Sequence, residues 1–179
     1  MVIILVYVDD SLFIGQRLDL DETIAMIGSS GLRLSVEGKL NDFLGCSIIR
    51  HNNINECWLL QPHLIKKLKN SFGKKVENHR VYGTPGSPRK IIRKTTEEDT
   101  RLVGGDQKEY RSGVGSLLYL LKHSRPELSN PIRELSKAMQ DPNTDHMKEL
   151  LRLIKWVLQT PTIGLKMKPE IERNEKGEI

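Results

Sequence analysis

The residues with the clearest potential for chemistry are two adjacent aspartates near the amino terminus, Asp9 and Asp10. They follow Tyr7 and Val8 and lie between two strongly apolar runs, VIILVYV and SLFIG. Two neighbouring carboxylates repel each other unless a cation neutralises them, and hard oxygen ligands favour magnesium or manganese. The pair therefore indicates metal-assisted phosphoryl transfer, although aspartates are also common turn formers and most Asp-Asp pairs have only that role.

The elements that must position these aspartates can be read from the surrounding pattern. The two apolar runs predict a β-hairpin with Asp9 and Asp10 at its tip, held on a buried sheet edge. The following stretch, LDLDETIAMIGSSG, predicts a short helix with Asp19 or Asp21 as its N-cap and Gly31 at its end. Three short strands are then predicted from LRLSV, FLGCSIIR and CWLLQ, with turns at Gly38 and at Asn52-Asn53.

A strongly basic segment runs from Gln61 to Lys94. It contains ten lysines and arginines against one acidic residue, a charge of +9 in a chain whose net charge is +5. Its first part predicts a helix that starts at Pro62, ends before Gly73 and buries an apolar stripe. Residues 76–106 show no periodicity and predict a linker or a loop that faces nucleic acid. A polyanion is therefore the expected partner, and an ordinary solvated helix face is the alternative.

The last third of the chain predicts three amphipathic helices and a closing strand. Apolar residues recur at helical spacing from Tyr110 onward, and Asn130 is predicted to cap a helix that starts at Pro131. Gly113 and Gly115 are interpreted as sites of close helix packing, and TIGLKM as a strand. The composition, with 37% hydrophobic and 28% charged residues, is typical of a globular protein. The two cysteines form no disulfide or zinc pattern, and the apolar opening is too short for a membrane span.

Six ordered blocks of the sequence resemble the reverse transcriptases of copia-type LTR retrotransposons. The blocks are LVYVDDSLFIG, LNDFLGCSI, WLLQPHLIKKL, Thr84-Pro85, YRSGVGSLLYLLKHSRPELS and HMKELLRLIKWVLQTPTIGL. The resemblance implies an α+β fold, in which a polymerase palm-like antiparallel sheet with helices precedes a helical thumb or connection subdomain. The implied parts are a partial palm at 1–75, with the YVDD hairpin and a primer-grip-like hairpin, a basic linker at 76–105 and the helical part at 106–179.

The same resemblance implies a site and its partners. Asp9 and Asp10 would be the catalytic residues and would ligate the Mg²⁺ or Mn²⁺ ions of two-metal nucleotidyl transfer. The residues expected to contact nucleic acid are Tyr7, Trp58, Gln61, Lys66, Lys67, Lys69, Lys74, Lys75, Arg89 and Lys90. The implied partners are an RNA template, an RNA–DNA hybrid primer–template and, in the complete enzyme, deoxynucleotide triphosphates. The expected location is intracellular, in the cytoplasm, a retrotransposon particle or the nucleus, without a membrane.

The sequence also departs from the family pattern. The fingers and a third palm carboxylate precede YVDD in the family and are not in this sequence, and neither is the downstream ribonuclease H domain. We therefore expect a fragment of an RNA-directed DNA polymerase that is inactive alone. Two other interpretations stay open, a non-catalytic nucleic-acid-binding remnant and a helical protein-interaction module.

Overall fold

The computed structural model describes residues 1–38, 40–51 and 56–168. The chain divides into two compact units, Met1–Leu44 and Gly45–Ile179. The boundary between these units, after Leu44, lies well before the boundaries at 75 and 105 that were predicted from the sequence. None of the described helices is long and apolar enough to span a membrane.

The first unit contains the predicted β-hairpin. Strand β1 (Val2–Tyr7) pairs antiparallel with strand β2 (Asp10–Gly15). The two-residue turn is formed by Val8 and Asp9, and Val8 has a φ of 54°. A β-branched residue is strained in this left-handed region, and hairpin turns usually place glycine there. The hairpin prediction is confirmed, with one unfavourable backbone position beside the aspartates.

Helix α1 follows at Arg17–Ser29, ahead of the predicted N-caps. Its N-cap residue is Gln16, which makes no side-chain capping hydrogen bond. Asp19 lies in the first turn instead, where its carboxylate pairs with the amino group of Met1. A carboxylate in the first turn also interacts favourably with the helix dipole. The LRLSV segment, predicted as a strand, forms none, and the next strand is the two-residue β3 (Asp42–Phe43).

The second unit contains an antiparallel sheet in the order β4 (Cys46–His51), β5 (Glu56–Leu60) and β6 (Leu165–Met167). These strands confirm the predictions from FLGCSIIR, CWLLQ and TIGLKM, whereas the predicted turn at 52–53 lies outside the described residues. Gly164, just before β6, is so close to β5 that a Cβ atom would lie 2.3 Å from the carbonyl oxygen of Leu59. A glycine is therefore required for β6 to reach the sheet.

The described part of the second unit also contains four helices and one short 3₁₀ turn. They are α2 (Pro62–Val76), α3 (Gly104–His123), the 3₁₀ turn (Pro126–Leu128), α4 (Ser129–Ser136) and α5 (Thr144–Gln159). Helix α2 continues past Gly73, so its predicted end is wrong. Helix α4 begins at Ser129, so Asn130 is not its cap and Pro131 occupies the first turn, where a missing N–H leaves no hydrogen bond unmade.

The helices share one hydrophobic core. Ile65, Leu68 and Phe72 of α2 are buried in it, as the spacing of these residues predicted. Gly113 lies where α3 meets α2 and α5, because a Cβ atom there would be 3.0 Å from Cζ of Phe72 and 2.9 Å from Cδ2 of Leu150. Gly115 has open space around it, so only Gly113 is a close-packing position.

Residues 77–103, which we call the strap, contain no helix or strand beyond one isolated bridge. The strap is nevertheless held along α5, and its chain runs antiparallel to that helix. The Nζ atom of Lys155 donates to the Glu77 carbonyl oxygen at 3.1 Å, and Arg152 donates to the Pro85 carbonyl oxygen at 2.9 Å. Further along, the backbone N–H of Leu102 donates to the Pro142 carbonyl oxygen, which precedes α5. The predicted linker is thus an ordered part of the second unit.

Candidate nucleic-acid interface

The YVDD residues lie at the exposed tip of the first-unit hairpin. Asp9 is in the turn, and Asp10 opens β2 opposite Tyr7. Both aspartates are exposed, and 59% of the Tyr7 surface is accessible. The predicted buried sheet edge is therefore wrong, because among the residues described here β1 and β2 form a two-stranded sheet, which leaves the tip open to solvent.

The donor chemistry at this tip suits a hard divalent cation. Asp9 and Asp10 offer only carboxylate oxygens, the ligand type that magnesium prefers. Among the residues that the structure describes, no group of three Asp, Glu, His or Cys side chains could hold a metal ion. A magnesium ion bound here would thus take its remaining ligands from water or substrate phosphates, and would neutralise negative charge at the reacting phosphate.

Helix α2 separates its charged and apolar residues onto two faces. Its buried stripe faces the core, and the exposed side carries four lysines without a salt bridge in the described structure; we call Lys66, Lys67, Lys69 and Lys74 the lysine face. Lys75 differs from these four because its ammonium group pairs with Glu109 of α3. Lysines that lack an acidic partner remain available to phosphate groups.

The strap adds two further exposed cations, Arg89 and Lys90. Arg89 has a φ of 56°, which bends the strap sharply at this point. Neither side chain forms a salt bridge within the described residues, whereas Arg93 makes two hydrogen bonds of 2.7 Å to the Asp99 carboxylate. That bidentate contact holds the pKa of Asp99 well below its usual range. Arg89 and Lys90 are therefore the predicted strap residues that can contact phosphates.

Trp58 lies half-buried in the central strand β5 beside a cation that sequence reasoning missed. Lys166 of β6 pairs across the strands with Trp58, and its Nζ atom lies 5.6 Å from the centre of the indole ring. The same ammonium group contacts the Glu56 carboxylate at 2.8 Å. Lys166 and Trp58 are neighbours because of the register of β5 with β6, which could not be predicted from the sequence.

Gln61 occupies a different environment from the one predicted. Its side chain is 1% exposed, and its Oε1 atom accepts a hydrogen bond of 2.7 Å from the Ser124 hydroxyl. Next to Ser124, the fully buried Arg125 donates to the backbone carbonyl and the hydroxyl of Thr160, both at 2.9 Å. Gln61 and Arg125 thus join the ends of α2, α3 and α5, and Gln61 does not reach the surface to contact nucleic acid.

Similar proteins are found among transposon polyproteins. The chain is 26% identical over 163 residues to the retrovirus-related Pol polyprotein from transposon TNT 1-94 of Nicotiana tabacum, covering 88% of the chain and 12% of that protein. It is also 26% identical over 163 residues to the putative transposon Ty5-1 protein YCL074W of Saccharomyces cerevisiae, covering 91% of the chain and 51% of that protein. A 63-residue stretch is 41% identical to the Pol polyprotein from transposon RE2 of Arabidopsis thaliana, covering 35% of the chain and 4% of that protein.

Two of these relatives are retrovirus-related Pol polyproteins of transposons and one is a putative transposon protein, and the chain spans about half or less of their length. No family model matches the chain, and no solved structure matches it.

Proposed function

We propose that this chain is part of a retrotransposon reverse transcriptase and that it binds the RNA–DNA hybrid primer–template. The YVDD sequence at an open hairpin tip carries this proposal, since metal-dependent nucleotidyl transfer needs carboxylates where primer and nucleotide can reach them. In the complete enzyme Asp9 and Asp10 would face the primer terminus. The similarity to Pol polyproteins along most of the chain supports the same assignment.

The second unit supplies the surface on which the hybrid would lie. The lysine face of α2 presents four cations without acidic partners, and Arg89 and Lys90 add two from the strap. Phosphate contacts of this kind give affinity without sequence preference and depend strongly on salt. Trp58 adds a half-buried aromatic side chain on which a base could stack, whereas the neighbouring Lys166 is already paired with Glu56.

The binding experiment measures fluorescence anisotropy of a labelled RNA–DNA hybrid at several salt concentrations. The triple variant Lys66→Gln, Lys67→Gln, Lys69→Gln should weaken binding equally for unrelated sequences. It should also reduce the slope of log K against log salt by roughly 0.9 for each phosphate that is no longer neutralised, about 2.7 for three phosphates.

The matched control removes three exposed lysines outside the basic segment, Lys108→Gln, Lys122→Gln and Lys168→Gln, for the same change in net charge. This control should retain most of the affinity and the slope. Equal losses of affinity in both triple variants would show that only net charge matters, and an affinity that does not change with salt would refute the phosphate contacts.

A second candidate is a chain that binds nucleic acid without catalysis. The small number of metal ligands favours this candidate, because the described residues bring only two carboxylates together at the hairpin tip. Primer extension with template, nucleotides and magnesium separates the two candidates. We expect no extension by the 179-residue chain. We expect activity when a relative's fingers and preceding palm are fused to it, with Asp9→Asn removing that activity. A fused protein that binds hybrid but stays inactive would favour the non-catalytic candidate.

A further inference from the structure

A cavity of about 350 Å³ lies in the second unit, between strap residues 89–93 and the start of α5. Its volume falls in the range of about 300 to 1,000 Å³ that is typical of small-molecule sites. Arg89, Lys90 and Arg93 line the strap side, and Asn143, the N-cap of α5, lines the helix side. The wall therefore combines three cations with a helix N-terminus, whose dipole also favours negative charge.

The side chain of Asn143 leaves one donor group without a partner at this cavity. The residue is 2% exposed, and its Oδ1 atom accepts hydrogen bonds of 3.0 Å from the backbone N–H groups of Asp145 and His146. Because only the amide oxygen can accept, these two bonds identify the remaining atom as the Nδ2 donor. Nδ2 makes no hydrogen bond within the described chain and is not sealed from solvent, so it faces the cavity that Asn143 lines.

The charges around the cavity favour an anion. Arg89 and Lys90 form no salt bridge in the part of the chain that the structure describes, whereas Arg93 already has an acidic partner. Asp145 is the carboxylate on the wall, and the ammonium group of Lys148 offsets its charge at 2.8 Å. Arginine, lysine and an amide N–H group all donate hydrogen bonds, so a matching ligand offers acceptor oxygens and negative charge, as a phosphate does.

We propose that this cavity binds the phosphate group of a nucleotide, with Arg89, Lys90 and Nδ2 of Asn143 donating to the phosphate oxygens. The cavity holds more than about ten water molecules, far more than a bare phosphate ion occupies, which leaves room for the nucleoside. Ile91 on the wall is 74% exposed and gives the nucleoside an apolar surface. The site shares Arg89 and Lys90 with the proposed hybrid surface, but it rests on the cavity and on Asn143 and does not require hybrid binding.

Titration of the whole nitrogen-15-labelled chain with deoxyadenosine monophosphate, at about 50 mM salt to limit charge screening, tests the site. The side-chain amide signal of Asn143 and the backbone amides of residues 89–93 should shift together, with a Kd below about 1 mM. Inorganic phosphate should bind at least about tenfold more weakly, because it leaves most of the cavity unfilled. Uncharged deoxyadenosine should cause no shift.

The phosphate can belong to a free nucleotide or to the end of a nucleic-acid strand, and a trinucleotide with a terminal phosphate distinguishes these sources. Tighter binding of the trinucleotide than of the monophosphate would assign the site to a strand end. Equal or weaker binding would assign it to a free nucleotide. Both results support a phosphate site in the cavity.

Variants at the N-cap separate binding from folding. Asn143→Ser keeps a cap oxygen for α5 but removes the donor, so affinity for the monophosphate should fall roughly tenfold, as expected when one hydrogen bond to a charged group is lost. Asn143→Asp also keeps the cap but adds a negative charge, so binding should be lost. Asn130→Asp, the same chemical change at an exposed position of α4, should keep the affinity within about twofold of the wild type.

Three results would each overturn the inference. They are shifts that do not include the Asn143 side chain, wild-type affinity in Asn143→Asp, and binding of deoxyadenosine or inorganic phosphate as tight as that of the monophosphate. Because the titrations contain no RNA–DNA hybrid, their failure would leave the proposed hybrid binding untouched.

Discussion

Gly113 and Gly115 offer a matched test of how the helices of the second unit pack. Both lie inside α3, where replacing glycine by alanine gains about 0.5 to 1 kcal/mol from reduced backbone entropy in the unfolded chain. At Gly115 a Cβ atom meets nothing within 4 Å, so Gly115→Ala should stabilise the protein by that full amount. At Gly113 the new methyl group would overlap Leu150 and Phe72, at 2.9 and 3.0 Å.

Carbon atoms pack best at about 3.5 to 4.0 Å, so the Gly113 contacts are too short by about 0.5 to 1 Å. Overpacking of a buried site costs about 1 to 3 kcal/mol, which outweighs the gain in helix propensity. Because the propensity gain is common to both variants, Gly115→Ala should exceed Gly113→Ala in stability by about 1 to 3 kcal/mol. In a chain of this length that difference corresponds to roughly 2 to 12 °C in Tm.

Urea unfolding followed by circular dichroism gives the free energies, and thermal melts give Tm. The urea m-value should stay constant, since neither variant changes the surface exposed on unfolding. Equal stabilisation by both alanines would refute the placement of α3 against α2 and α5 at Gly113. A less stable Gly115→Ala would contradict the open space around that residue.

Three further changes test the sheet, the hairpin tip and the buried arginine. Gly164→Ala places a methyl group against the Leu59 carbonyl oxygen, so β6 should detach and its amides should lose exchange protection; retained protection would contradict the pairing. Asp9→Asn should abolish weak, roughly millimolar Mn²⁺ binding seen by water relaxation, because Mn²⁺ needs the hard carboxylate oxygen. An unchanged relaxation signal would remove Asp9 as a ligand. Arg125→Ala should lower the free energy of unfolding by about 2 to 4 kcal/mol in urea titrations, since charged hydrogen bonds disappear from a buried site; a decrease below about 1 kcal/mol would refute that role.

The elements with regular apolar spacing could be predicted from sequence. The apolar runs on both sides of Asp9 and Asp10 indicated the hairpin, and the spacing of Ile65, Leu68 and Phe72 indicated the buried side of α2. The end of that helix was missed, because burial of Val76 in the core outweighs the low helix propensity of Gly73. The prediction from local helix propensity therefore failed at this helix end, because tertiary packing contributes more to its stability.

Positions that depend on non-local contacts were beyond sequence reasoning. The strap has no periodic pattern, and several of its residues are held one at a time by side chains of α5. Gln61 carries the same polar side chain whether it faces solvent or Ser124, so its burial was not visible. The exposure of Asp9 and Asp10 depends on how many strands join β1 and β2, and a hairpin sequence does not state that number.

The strap also sets an order of events during synthesis. Its anchors on α5 are far away along the chain, with Glu77 bound to Lys155 and Pro85 to Arg152. A ribosome therefore releases the strap before its partner helix exists, and the strap remains an unstructured basic segment until residues near 159 have emerged. During that interval Arg89, Lys90 and Lys94 are free to contact the nearest polyanion, including ribosomal or messenger RNA. Docking on α5 then fixes the backbone of this basic segment, so its cations lose the freedom to adapt to a polyanion that they have in the nascent chain.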